Sequence, residues 1–353
     1  MSSEKQNGFI KLKSEVIDNS LCCGCQTCVT VCPAKILDYS DDLPILTEEK
    51  SDKCFDCLVC YSACPRSSFM NNVLEDYTKG TDILGPYTRI VSAKSKNAAV
   101  NKRAQDGGVV TSILINLFEN NLIDGAIVIK NEGWKAIPTL IYNKDRLIEY
   151  AGTVYDYNSP IQILKDSNNI IENIKELKHG IKIIRLAIVG LPCQIKAIKK
   201  AKLVGKGNGL YPFNLITYTI GLFCFENFYH DKLISYINSS GKISKDKIKK
   251  MDIKKGVLII KSNDENEVRI SVKDLSECIR TGCKHCDDFT NIYADISIGS
   301  VGSDSGFSSV IIRTDSGKKI YNSCILNEFL TERAMNSENI DQIKRIAKIK
   351  LKK

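Results

Sequence analysis

Apolar positions change character along this chain. Up to about residue 75 they are sparse and interrupted by closely spaced cysteines; from about residue 91, helical and strand-like periods alternate. Val109, Val110, Ile113, Leu114, Leu117 and Phe118 recur at the spacing of a buried helix face, directly after Asp106-Gly107-Gly108. Residues 125–129 (GAIVI) read as a buried strand, residues 168–179 as a helix, 186–189 as a short strand closed by Gly190, and 216–223 as another strand. Residues 257–261, 295–301 and 308–313 predict further strands, and 317–332 a helix. This alternation predicts an α/β body. The tail DQIKRIAKIKLKK reads as a basic amphipathic helix with a solvated face; a membrane surface or an acidic partner are the alternatives.

The same pattern predicts four segments. Residues 1–75 form the cysteine-rich module, with 1–20 as a lead-in strand or arm. Residues 76–90, containing Gly85-Pro86, read as a linker; 91–335 are the α/β body and 336–353 the basic helix.

Composition narrows the class. With 353 residues, 43% of them hydrophobic, the chain is long enough for two or three packed units. It has no apolar run long enough to span a bilayer, and its start, MSSEKQNGFIKLKSE, is too polar for a signal peptide. A cytoplasmic protein is expected, either free or on the cytoplasmic side of a membrane complex. The net charge of +9 is spread along the chain, aromatic content is 7%, and no nucleic-acid motif is present, so nucleic acid is not the expected partner. Fifteen cysteines in a chain of this kind point to metal ligands or reactive thiols rather than disulfides.

Their placement is informative. Nine cysteines fall between Cys22 and Cys64, and six between Cys193 and Cys324. Cys22, Cys25, Cys28 and Cys32 precede Pro33 in a C-x2-C-x2-C-x3-C-P run, and Cys54, Cys57, Cys60 and Cys64 repeat it before Pro65. Such a run wraps three thiolates around one 4Fe–4S cubane and sends the fourth to the other cluster. The first cluster is therefore assigned to Cys22, Cys25, Cys28 and Cys64, and the second to Cys54, Cys57, Cys60 and Cys32. A zinc site uses two separated C-x2-C pairs and has no need of a third cysteine or of the closing C-P. Cys23 lies outside this register and is expected to be a spectator.

The body carries further candidates. Cys193 and Cys224 follow predicted strands, and Cys283 and Cys286 form a C-x2-C loop. These four could converge on a third cluster, on zinc, or remain buried free thiols; Cys278 is a substitute ligand, Cys324 is expected in the core and His285 on the surface. Gln105-Asp106-Gly107-Gly108 opens a helix, where glycines admit a phosphate to the backbone amides, and Gly299-Ser300-Val301-Gly302 forms a second glycine-rich turn. The run Gly205–Gly209 reads as a surface loop.

Taken together, these stretches resemble the family of coenzyme F420 hydrogenase and dehydrogenase beta subunits. The likeness is carried by QDGGVVT at 105–111, Gly152-Thr153-Val154-Tyr155 with Ser159-Pro160, GLPCQ at 190–194, GLFCFEN at 221–227, Cys283 and Cys286 with Asp288, and ADISIGSVGS at 294–303. It covers roughly residues 87–315. The family often places Ser-Pro directly after Tyr-x-Tyr, whereas here Asn158 stands between Tyr157 and Ser159. With a two-cluster ferredoxin in front, the layout is similar to the input subunit of F420H2 dehydrogenase and to the amino half of F420-dependent sulfite reductase.

The resemblance implies an α+β ferredoxin domain followed by an α/β flavin-binding domain. It implies a 4Fe–4S cluster on Cys193, Cys224, Cys283 and Cys286, and a non-covalent FAD held at Gln105, Asp106, Gly107, Gly108, Thr111, Thr153, Ser159, Pro160, Gly299, Ser300, Val301 and Gly302. The implied activity is electron exchange between F420 and a ferredoxin or a larger redox complex. A deazaflavin gives up a hydride whereas clusters accept single electrons, so a true flavin is expected between them. No protein acid or base is expected to be indispensable. The alternatives are a related reductase of another substrate, an electron-relay subunit of a hydrogenase, formate dehydrogenase or sulfite reductase, and a zinc-binding nucleic-acid protein.

Overall fold

The computed structural model describes residues 8–205, 209–240 and 243–352. Part of the Gly205–Gly209 run, and the first seven residues of the lead-in, lie outside them.

The described lead-in is helical rather than extended. Gly8–Leu12 is an α-helix that continues as a wider turn through Lys13–Ile17. Phe9, Leu12 and Val16 share one buried face, a helical period that the surrounding lysines disguise. A hairpin of β1 (Asp38–Ser40) and β2 (Leu43–Ile45) lies beside the cysteine loops. Asn71–Thr78 is a further helix. The segment expected as a linker is packed: Leu84 is fully buried beside Phe289, Ile343 and Ala347, and Arg313 donates from one guanidinium nitrogen to the carbonyls of Leu84 and Pro86.

The body contains β3 (Arg89–Ser95), β4 (Gly125–Glu132), β5 (Lys135–Ile141), β6 (Leu186–Gly190), β7 (Ile216–Leu222), β8 (Ile248–Lys254), β9 (Val257–Ser262), β10 (Glu267–Ser271), β11 (Ile296–Gly299), β12 (Ser308–Ile312) and β13 (Leu330–Ala334). Eight of these form one sheet in the order β13-β3-β12-β11-β7-β6-β4-β5, while β8, β9 and β10 form an antiparallel sheet of their own. The centre of the large sheet, β4-β6-β7-β11, is parallel, and both flanks are antiparallel. β6 is buried along its whole length, as its unbroken LAIVG run requires of a strand covered on both faces. Helices Val109–Glu119 and Asp315–Leu326 cover one face, and Ser167–Leu177 and Pro192–Val204 the other. Cys324 lies in the first of these cores, fully buried.

Two predicted helices differ in part from expectation. The one expected over 317–332 ends at Leu326; Glu328 takes a left-handed φ of 59°, and β13 returns along β3. The basic tail forms a helix, Ser337–Leu351, whose polar face is solvated as expected and whose opposite face is docked. Ile343, Ala347 and Lys350 fall on one face and are buried. No helix among the described residues is long and apolar enough to cross a membrane.

The cysteine module shares the body's core. Cys23, Cys25, Val31 and Ala63 pack in the same cluster as Ile161, Leu186, Ile188 and Ile198.

At the base of the sheet, the Asp124 side chain is 1% exposed and accepts from the Arg185 backbone N–H (2.9 Å), the Arg185 guanidinium (3.2 Å) and Lys178 Nζ (2.9 Å). Burial alone would raise its pKa, but these donors hold the carboxyl below its ordinary value. Asp124→Asn is expected to cost about 2 kcal/mol at neutral pH, the scale of charged hydrogen bonds. Because the folded carboxyl is depressed, its contribution is present above the unfolded value of about 3.9 and is lost as pH falls further. Denaturant unfolding of both chains across pH should show the gap closing on the acid side.

Candidate functional site

The parallel strands deliver the candidate residues to one edge. β6 runs into Leu191-Pro192-Cys193, β7 into Phe223-Cys224, and β11 into the turn beginning at Gly299. Carboxyl ends of parallel strands are where open α/β sheets bind their ligands.

In the module the cysteines gather in the two predicted sets. One cavity is lined by Cys22, Cys25, Cys28 and Cys64 together with Cys23. The other is lined by Cys32, Cys54, Cys57 and Cys60. Left-handed backbone at Gln26 and Leu58 opens the short helices that carry Cys28 and Cys60, the same device in both repeats. Burial pushes the thiols of Cys22 and Cys60 up to about 12 and that of Cys64 to about 11, so metal loading must displace their protons. The second set is the more open: Cys57 is exposed, and Phe55 beside it is 71% exposed.

Cys193, Cys224, Cys283 and Cys286 also come together, each within electrostatic reach of others in the set. Asp288 shapes the loop. Its buried carboxylate accepts from the Asn291 N–H (2.7 Å) and the Ile292 N–H (2.9 Å). The Asn291 side chain then donates to the carbonyls of Gly190 (2.9 Å) and Leu222 (3.2 Å), clipping together the ends of β6 and β7 just before Cys193 and Cys224. Cys278 lies elsewhere, in the core of the three-stranded sheet, and His285 is on the surface.

Among the described residues, no three His, Cys, Asp or Glu side chains close to the spacing of one metal ion. A zinc tetrahedron draws its thiolates to about 2.3 Å from a single centre, whereas a cubane spreads four thiolates over four irons. Three cysteine-only sets suit the soft-donor chemistry of iron–sulfur clusters.

Cys23 is more than a bystander in space. Its buried thiol lies against those of Cys25 and Cys193, so it stands between the first module set and the body set. Arg280 braces the same junction. It donates to Asp42 (2.8 Å), lies over the Tyr157 ring at 4.0 Å, and presents its carbonyl to the Cys283 N–H (2.9 Å).

The two glycine turns meet at the start of β12. The Gly107 N–H donates to Ser308 Oγ (3.0 Å), and Ser309 Oγ donates to the Val301 carbonyl (2.7 Å). A Cβ on Gly107 would strike the Ala93 carbonyl at 2.4 Å, which explains the glycine. Thr111 is buried in the first turn of the following helix. Gly299 lies under the Phe223 ring, Ser300 is exposed, and Gly302, at φ 93°, packs against the C-terminal helix at Asn339 and Ile343. Gln105 donates to the Met251 carbonyl (3.3 Å), and Tyr155 accepts from the Ile253 N–H (3.0 Å), so β8 walls this cleft. Burial and the nearby Asp252 raise the Asp106 pKa, opposed by Lys254 and Lys250.

Residues 152–160 run from that cleft to the body cysteines. Gly152 and half-buried Thr153 start the segment, Tyr155 faces β8, and the Tyr157 hydroxyl lies 3.8 Å from Cys193 Sγ. Ser159, next to Pro160, is turned away: its hydroxyl donates to the Cys25 carbonyl (2.7 Å) and joins module to body. The sequence marks Cys23 only as a spectator and carries no sign of the roles of Arg280 and Asn291, whose contacts reach residues 69 to 238 positions away. Only Cys23, beside a cluster ligand, carried a local signal.

Residues 14–65 match the 4Fe–4S dicluster domain. Residues 90–165 and 183–338 match the N- and C-terminal parts of the coenzyme F420 hydrogenase/dehydrogenase beta subunit. One component of the F(420)H(2) dehydrogenase of Methanosarcina mazei is 31% identical, over 87% of this chain and 83% of that one. The coenzyme F420-dependent sulfite reductase of Methanocaldococcus jannaschii is 33% identical over 96% of this chain, which spans half of that protein. In structure, the chain is similar to one in the F420-reducing [NiFe] hydrogenase complex of Methanosarcina barkeri, with TM-score 0.70 and 30% identity over 77% of this chain and 91% of that one. The chain thus belongs to the family of coenzyme F420 hydrogenase/dehydrogenase beta subunits and carries a 4Fe–4S dicluster domain at its N-terminal side.

Proposed function

We propose that this chain exchanges electrons between coenzyme F420 and one-electron carriers, using FAD in the body and three 4Fe–4S clusters, and that it works as an input module oxidising F420H2. The observation that carries this reading is the serial placement of the cysteine sets. The body set adjoins the first module set through Cys23 and Cys193, and the second module set opens at the surface at Cys57.

Oxidation of one F420H2 releases a hydride and a proton, equal to two electrons and two protons. When bound, FAD supplies the conversion from hydride to single electrons. The residues present fit such a group. The glycine turn at Gln105–Gly108 meets the adjoining turn to Gly302 at the start of β12, where a diphosphate would take the place of the Ser308 hydroxyl on the Gly107 amide, and Lys250 and Lys254 add positive charge beside it; Thr111 and Thr153 would lie along the rest of the cofactor. Residues 152–157 link that cleft to Cys193. Cys193, Cys224, Cys283 and Cys286 would hold the receiving cluster, and the module's eight cysteines the next two. A ferredoxin or larger redox complex would take electrons at the Cys57 end, and such a complex would also account for any association with a membrane.

Anaerobic purification should yield about twelve irons and one FAD per chain, as three cubanes and a flavin require. F420H2 mixed with a viologen should then be oxidised with two viologens reduced per deazaflavin. A fully loaded chain that leaves F420H2 untouched would overturn the reading.

A further inference from the structure

The body cysteines are flanked by two cations from different parts of the chain, Arg66 half-buried and Lys350 buried. Arg66 follows the last C-P of the module and crosses to the C-x2-C loop, donating to the carbonyls of His285 (2.6 Å) and Gly282 (3.2 Å). Its Nε–H is shut off from solvent and has no hydrogen-bond partner among the described residues. Cys23, Cys286 and Cys193 lie within electrostatic reach of the guanidinium. Lys350 enters from the C-terminal helix. It is 2% exposed and donates to the Cys224 carbonyl. Cys224, Cys286, Asp288 and Cys283 all lie within electrostatic reach of its ammonium.

Two cations against one thiol set, one half-buried and one buried, are costly unless a comparable negative charge lies between them. A 4Fe–4S cluster with four thiolates is such a charge, and its bridging sulfides accept hydrogen bonds. An unpaired N–H beside these cysteines is a donor that such a sulfide could accept from.

We propose that Arg66 and Lys350 form a cationic clamp on the body cluster, with Arg66 Nε–H donating to it, and that the clamp raises the cluster's reduction potential so that it draws electrons from the flavin side. This rests on the three-cluster reading above. Each cation offsets part of the electron added on reduction, and the low local dielectric makes the effect large. Because Arg66 belongs to the module, docking of the module completes the clamp.

The test is a redox titration, followed by electron paramagnetic resonance, of full-length chains purified anaerobically: wild type, R66M, R66K, K350M and K350R. Iron and sulfide are counted in each. All are expected to load about twelve irons. At the wild-type midpoint of the body cluster, R66M and K350M should each show roughly a tenfold lower reduced-to-oxidised ratio, a 59 mV fall for a one-electron couple. K350R should stay near wild type, R66K should fall between, and the module clusters should not move. Unchanged midpoints in both neutral variants, or equal shifts in all three clusters, would overturn the clamp. If a neutral variant loads fewer irons, restoration by its charge-preserving partner supports the clamp, and loss in both overturns it. Only about eight irons in the wild type would overturn the three-cluster reading itself.

Discussion

Replacing Cys286 with serine should reduce the iron content from about twelve to about eight per chain while both module clusters remain. F420H2 should still bleach its bound flavin, but the module clusters should no longer be reduced on the catalytic timescale. The loss in transfer should reach two orders of magnitude or more, beyond the roughly 10- to 100-fold effect of outer-shell changes at metal sites. The reason is serial geometry. Cys286 sits on the loop that Arg66 holds, and its set adjoins the first module set through Cys193 and Cys23. Iron analysis, module-cluster resonance signals and stopped-flow absorbance together measure this outcome. Reduction of the module clusters at the wild-type rate would place the electron path elsewhere.

The second large effect is expected from a single methyl group. A Cβ on Gly282 would meet the Cys22 carbonyl oxygen at 2.3 Å and Cys23 Cα at 2.8 Å. Both are backbone atoms that cannot rotate aside, so Gly282→Ala must push the C-x2-C loop away from the first cluster loop. Overpacking of this kind costs about 1–3 kcal/mol, and the displaced contacts include those of Arg66 with Gly282 and His285. Gly282→Ala is expected to unfold at lower denaturant and to pass electrons from body to module more slowly, because the shifted loop carries Cys283 and Cys286 away from the first cluster loop. Denaturant unfolding and single-turnover reduction of the module clusters check the two parts separately.

Much of this was legible in the chain, for reasons that differ by element. The cysteine spacing in the module is a local rule, and the cavities gather the sets that the spacing predicts. β6 was legible because a doubly covered strand must be apolar throughout, and β7 because ITYTIGL is rich in β-branched residues. The sheet's antiparallel flanks were harder. β3 begins with Arg89, and β13 reads LTERA, polar enough to merge with the preceding helix until its pairing with β3 is known. The module's entry was misread because Phe9, Leu12 and Val16 are separated by charged residues that face solvent. Lys350 shows the opposite limit: it lies on the apolar stripe of its helix, a misplacement visible in sequence, but only the fold supplies the thiol set that explains it. Arg66 carried no signal at all, since its partners lie more than two hundred residues away.

The shared core gives the module's chemistry a mechanical side. Cys23 and Cys25 lie within the apolar cluster that also holds Leu186, Ile188 and Ile198 of the central sheet. In a tethered ferredoxin, a cluster destroyed by oxygen would be a local injury, and the rest of the chain would stand. Here the loop freed by such damage forms part of the wall of the body's own interior. Exposure to air should therefore cost this protein its shape as well as its colour, with aggregation following bleaching.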